Sequence, residues 1–132
     1  MSGSAQLYMD YLAQEGYRPW IDADGDVIFK DEGGTYYIDV DVSDTEYFRL
    51  VYPQFWPIED AAELARVHIS ANYATRRTKV AKVYIVEGDK NTSASIEMFF
   101  VEPEQFVAVF RRAMSALKAG VRNFVDQMRG VS

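Results

Sequence analysis

Cysteine is absent from the 132 residues. That removes thiolate catalysis, a disulfide framework and any Cys-based zinc or iron–sulfur centre. Histidine occurs once, as His68, so every Ser-His-Asp arrangement would have to use it, and no Gly-x-Ser-x-Gly elbow accompanies it. The glycine-rich loops that cradle nucleotide phosphates, Gly-x-x-x-x-Gly-Lys-Ser/Thr and Gly-x-Gly-x-x-Gly, are also missing. No stretch approaches the roughly 20 apolar residues of a membrane helix, and the first residues lack the basic and apolar regions of an export signal. The expectation is a cytoplasmic, non-enzymatic chain without cofactor or membrane association. Proline and glycine are sparse, at 4 and 8 residues, while 48% of the chain is hydrophobic and 14% aromatic. That composition belongs to an ordered globule, and its length supports a single domain, residues 1–132.

Charge is unevenly placed. The net charge is −6, but residues 1–60 carry 13 acidic and 3 basic side chains and residues 61–132 carry 7 and 11, so the halves stand at −10 and +4. An acidic first half repels phosphates, which argues against nucleic acid as a partner.

Periodicity then reads as α-β-β-β-β-α-β-β-α. Ser4 is expected to cap a first helix carrying Leu7, Tyr8, Tyr11 and Leu12, closed by Gly16 and Pro19. A meander follows, with strands at 18–22, 27–31, 35–42 and 47–52 and turns at Asp24-Gly25 and Gly33-Gly34. In the third strand Tyr36, Ile38, Val40 and Val42 alternate with Thr35, Tyr37, Asp39 and Asp41, the pattern of a half-buried antiparallel strand. A second helix carries Ala61, Leu64, Ala65, Val67, His68 and Ala71 and ends near Arg76-Arg77, whose charges suit its terminus. A hairpin of 80–86 and 93–101 precedes a last helix opened by Pro103, with Phe106, Val109, Phe110, Ala113, Leu117, Val121, Phe124 and Met128 inward and Arg111, Arg112, Lys118, Arg122 and Arg129 outward. Hairpins without parallel crossovers predict an α+β fold: an antiparallel sheet of five to six strands with three helices on one face. Alternation also places Tyr37, Tyr47, Val51, Val80, Tyr84, Val86 and Phe99 on the other face. This is more apolar surface than a monomer usually leaves wet, so the first helix or a partner subunit is expected to cover part of it.

Several pieces in this order resemble one family: Tyr11-Leu12 to Glu15-Gly16-Tyr17, Ile21-Asp22-Ala23-Asp24-Gly25-Asp26-Val27-Ile28-Phe29-Lys30, Tyr36-Tyr37-Ile38, Phe48-Arg49-Leu50, Phe55-Trp56-Pro57-Ile58, Ala71-Asn72 with Arg76-Arg77, and Thr78-Lys79-Val80-Ala81-Lys82-Val83-Tyr84. Over almost the whole chain the sequence looks like the YbjN family, bacterial proteins once labelled sensory transduction regulators. That resemblance implies a fold like the type III secretion chaperones, small acidic proteins that commonly dimerise and hold client segments. It implies no catalytic residues and no particular client.

Other constellations have plainer readings. Asp22-x-Asp24-Gly25-Asp26 offers closely spaced carboxylates, but Gly33 stands where an EF-hand would place its bidentate glutamate, and a hairpin turn explains the same residues. No metal is expected. Asp39 and Asp41 share a strand face without the apolar pocket that would split a carboxylate pair into acid and base. His68 reads as a helix-packing histidine. Arg76-Arg77-Thr78-Lys79-x-x-Lys82, near Tyr73 and Tyr84, could touch an acidic ligand, though helix-end charge accounts for it. Phe48, Tyr52, Phe55 and Trp56 read as a core corner. The expected function is a protein-interaction module, chaperone-like or regulatory, acting as a homodimer or with a client protein through Tyr37, Asp39, Asp41, Tyr47, Val51, Tyr84 and Phe99. The alternative is a small-molecule or ion sensor that regulates a partner through the Asp22–Asp26 turn or the Arg76–Lys82 edge.

Overall fold

In the computed structural model, which describes residues 2–130, the chain runs α1 (Gly3–Gln14), β1 (Trp20–Ile21), β2 (Val27–Asp31), β3 (Gly34–Asp39), β4 (Tyr47–Tyr52), α2 (Ala61–Arg77), β5 (Ala81–Ile85), β6 (Thr92–Phe99) and α3 (Gln105–Met128). All pairings are antiparallel, in the order β1-β2-β3-β4-β6-β5. The element order and the α+β class agree with the sequence pattern. No helix among the described residues is long and apolar enough to cross a membrane.

One face of the sheet holds the core. Phe29, Ile38, Phe48, Leu50 and Ile96 are fully buried there beneath Leu12 of α1 and Phe106, Phe110, Leu117 and Phe124 of α3. Burying each such side chain contributes about 1.5–3 kcal/mol, and edge-to-face contacts among Tyr17, Phe29 and Phe110 add directional packing. Phe55 and Trp56 pack edge-on against Phe124 at 5.5 and 5.6 Å, which makes this aromatic segment a corner of the core. Because α1 packs Tyr8 edge-on against Phe48 and at a tilt against Phe106, it shares the helical layer and leaves the opposite face open.

Several boundaries move for local reasons. The α1 cap is Ser2, whose side chain accepts from the Ala5 amide, instead of Ser4. The turn between β2 and β3 uses Glu32 and Gly33, both at positive φ, while Gly34 is already in the strand, where a Cβ would meet the rings of Tyr52 and Tyr36 at 3.1 and 3.2 Å. Strand β3 stops at Asp39 because the Asp26 carboxylate takes the Val40 amide and Asp41 starts a turn with Ser43. Val42, expected inside, is therefore exposed. Pro103 lies in a turn ahead of α3, and the Gln105 side chain accepts the Val101 and Glu102 amides. Helix α2 buries only Val67, Ser70, Ala71 and Ala74. His68 falls outside that narrow stripe and is exposed, contrary to its expected packing role. Lys118 and Arg111 do not simply face solvent: Lys118 pairs with Asp31 and Glu32, and Arg111 pairs with Glu15.

Both terminal strands are blunted against a further strand, so that only the three-residue Glu97–Phe99 overhang of β6 lacks a strand partner on one side. Strand β1 has two residues, and at the other edge the Thr75 hydroxyl of α2 both donates to the Val83 carbonyl and accepts the Val83 amide. A short edge and a helix-covered edge are standard protections against strand addition.

Candidate functional site

The open face is organised by strand register. Asp39, Arg49 and Glu97 stand side by side across β3, β4 and β6, the neighbouring row runs Tyr37, Val51, Ser95 and Lys82, and Tyr47 lies opposite Phe99. Arg49 reaches three of these groups and Tyr84 of β5. It donates to the Asp39 carboxylate at 3.1 Å, to the Tyr37 hydroxyl at 3.3 Å and to the Tyr84 hydroxyl at 3.1 Å, and its Nε lies 3.8 Å from Glu97. Glu97 in turn accepts from Ser95 at 2.6 Å, from Lys82 at 2.8 Å and from the Tyr47 hydroxyl.

These contacts set the charges. Burial would lower the Arg49 pKa, but the hydrogen bonds and charge interactions with Tyr37 and Tyr84 outweigh it and leave the guanidinium more basic than usual. Burial pushes Glu97 up, yet hydrogen bonds from Lys82, Ser95 and Tyr47 prevail and hold it at about 2. Tyr47 is pushed up to about 12 by burial and by its bond to Glu97. The face is a hydrogen-bonded constellation of one arginine, one lysine, two carboxylates and three phenols. It offers hydrogen bonds and a paired charge, not a base poised for proton transfer.

The seven expected binding residues divide in a way alternation alone did not show. Tyr37, Asp39, Tyr47 and Tyr84 are half-buried in the Arg49–Glu97 network. Val51 is only 1% exposed and sits outside the main core cluster, on the open face between Tyr37 and Ser95 in register. Asp41 lies beyond β3, where it accepts from the Ser43 amide and hydroxyl, and that bonding lowers its pKa. Phe99 is 80% exposed beside Tyr47, at 6.2 Å between ring centroids. Neither α1 nor any other described helix covers this face. Its wet apolar surface shrinks instead because the tyrosines are tied down, leaving Phe99 at one end of the face and Trp20, in register with Tyr37 through Ile28, at the other as exposed apolar groups, with Val101 just beyond β6, Val42 in the β3–β4 loop and Val80 ahead of β5. The residues passed over were Arg49 and Glu97, while the sequence pattern groups Lys82 with the basic Arg76–Lys82 edge instead of with this face. Their signal was opposite charge at face-sharing positions of neighbouring strands, readable only once register is known.

The Asp22, Asp24 and Asp26 carboxylates come within 4.8 Å of one another. Asp22 accepts the Asp24 and Asp26 amides at 3.0 and 2.9 Å, and Asp26 accepts the Val40 amide at 2.9 Å, so the turn itself uses two of them. Burial first, then the neighbouring carboxylates, raise the Asp26 pKa. In the basic segment Arg76 and Arg77 lie over the Tyr73 ring at 5.6 and 5.3 Å, and Lys82 points instead to Glu97.

Comparison with solved structures places the fold. The chain is similar to the crystal structure of YbjN from E. coli, a protein proposed to be a transcription regulator, at a TM-score of 0.64 and 11% identity, over 95% of this chain and 92% of that one. It is also similar to an uncharacterized protein from Methanothermobacter thermautotrophicus, at a TM-score of 0.56 and 14% identity, covering 95% and 94% of the two chains. No family model matches the sequence, and no curated protein matches it. The shared feature is therefore the architecture: this chain has a YbjN-like α+β fold.

Proposed function

We propose that the chain is a non-enzymatic protein-interaction module of the YbjN type, regulatory or chaperone-like, that docks a second copy of itself or a client protein on the open face of its sheet. The observation that carries this reading is the contrast within that face. A rigid, hydrogen-bonded array around Arg49 adjoins an almost fully exposed phenylalanine, Phe99, and this combination of ordered polar groups with an aromatic anchor is how interface hot spots are built. The protected edges speak against β-strand addition and favour face-on docking. The likeness to YbjN supports the regulatory sense of the proposal through that protein's own description.

Native mass spectrometry with sedimentation equilibrium tests it. A dimer, or a defined complex with a partner, that dissociates in Phe99→Ser but survives in the distant Val107→Ser is the expected result. A wild-type protein that stays monomeric and partnerless in its host's extract, or a complex indifferent to Phe99→Ser, overturns the assignment.

A further inference from the structure

Strand β6 has eight residues and β5 has five. Their register pairs Ala81 with Ile96, so β6 runs on past the start of β5 through Glu97–Phe99 while its other side stays paired to β4. The chain enters β5 through a γ-turn in which the Ala81 amide donates to the Lys79 carbonyl at 2.7 Å, with Val80 at φ +68°. That conformation is strained for a β-branched residue. Because β5 starts late, a cleft of about 640 Å3 opens between this turn, β6 and α3. Ile96 and Met98 line it from the sheet, and Val109, Ala113, Ala116 and Ala119 line it from α3.

Its charged groups are all of one sign. Arg77, Lys79 and Arg112 border the cleft, and no carboxylate does. Among the described residues none of these three forms a salt bridge, whereas Arg49, Lys82, Arg111 and Lys118 all do. In a protein of net charge −6, an apolar slot rimmed by three cations that form no salt bridge, one of them Arg77 lying over the Tyr73 ring, is complementary to a ligand with a hydrocarbon body and an anionic head. The lining from Val109 to Asn123 extends about 21 Å along α3. A single extended hydrocarbon chain suits both the length and the volume, which falls in the usual range for small-molecule sites.

We infer that this cleft binds a long-chain carboxylate, its acyl chain lying along α3 over Met98 and its carboxylate held by the Arg77, Lys79 and Arg112 rim. The site is separate from the Phe99 face, so its fate does not decide the interaction role.

The test uses palmitate below its aggregation concentration, with hexadecanol as the uncharged control, followed by displacement of a fluorescent polyene fatty acid and by native mass spectrometry. One saturable palmitate per chain is expected, with hexadecanol bound at least about tenfold more weakly. Ala116→Trp fills the slot and should abolish binding. The doubly charge-reversed Lys79→Glu/Arg112→Glu variant alters only exposed side chains and should weaken palmitate by about tenfold or more while leaving hexadecanol unchanged. No saturable binding, equal affinity for palmitate and hexadecanol, or binding indifferent to charge reversal would each overturn the inference, as would an acidic peptide displacing the probe where palmitate does not.

Discussion

The two faces of β4 use the same backbone for opposite purposes. Phe48 and Leu50 point into the helical layer and are fully buried, whereas Tyr47 and Arg49 point to the open face and owe their order to hydrogen bonds. The covered face draws its stability from area, which is non-directional and grows with every methylene enclosed. The open face has no helix over it, so its long side chains hold position only through partners at matched register. One face thus fixes the fold, and the other presents a defined surface. The largest expected effect therefore lies on the covered side: Phe48→Ala should cost about 3–5 kcal/mol in urea denaturation. Equal losses from Phe48→Ala and from any single open-face substitution would break the comparison.

Glu97 gives a pH signature to the open face alone. Its folded pKa of about 2 lies below the ordinary value of 4.5, so its contribution is present above the unfolded pKa and is lost as pH falls from about 4.5 through about 2. With its side chain 19% exposed, the contribution is about 2 kcal/mol after allowance for solvent screening. Asp26, whose pKa is raised, works in the other direction and makes the wild-type slope shallower. Denaturation at successive pH values should show a decline between pH 4.5 and 2 that is flattened in Glu97→Gln. An unchanged slope in that variant would mean that the network adds no net stability.

Arg49→Met comes next, at about 1–2 kcal/mol. A wholly buried charge left without its partner costs more, but Glu97 keeps Lys82, Ser95 and Tyr47, and only Asp39, 35% exposed, loses its cation. The cost should fall mainly on order at Tyr37 and Tyr84, visible as faster ring flipping in NMR spectra.

The covered face was the more legible of the two. Strand alternation and helical spacing report burial directly, so Ile38, Phe106, Phe110 and Phe124 could be assigned without knowing which strand lies beside which. The open face depends on register, which places Arg49 between Asp39 and Glu97 from positions 10 and 48 residues away, and no local pattern encodes that adjacency. Val51 shows the same limit: alternation placed its apolar side chain on the open face, where it is nonetheless buried between its register partners Tyr37 and Ser95. His68 failed for another reason. Helical spacing assigned it to a broad stripe, but α2 packs through small residues, and a helix in contact along Val67, Ser70, Ala71 and Ala74 leaves the next position in solvent. The cleft beside α3 arises from a three-residue difference in strand length, which hairpin signals do not resolve.

The smallest effect on stability is expected where the proposed function is concentrated. Phe99 is 80% exposed and has one aromatic neighbour, Tyr47, so Phe99→Ser removes little buried area and should change unfolding free energy by no more than about 0.5 kcal/mol. Its effect on association should be far larger, because an aromatic anchor enclosed only in a complex contributes its burial there, with hot-spot losses of about 2 kcal/mol or more on truncation. Sedimentation and urea denaturation of the same variant separate the two. A stable monomeric variant from an associating wild type would mean that Phe99 serves a partner, while a variant that unfolds early would mean that Phe99 and Tyr47 belong to the sheet's own stability and that the faces differ less than their geometry suggests.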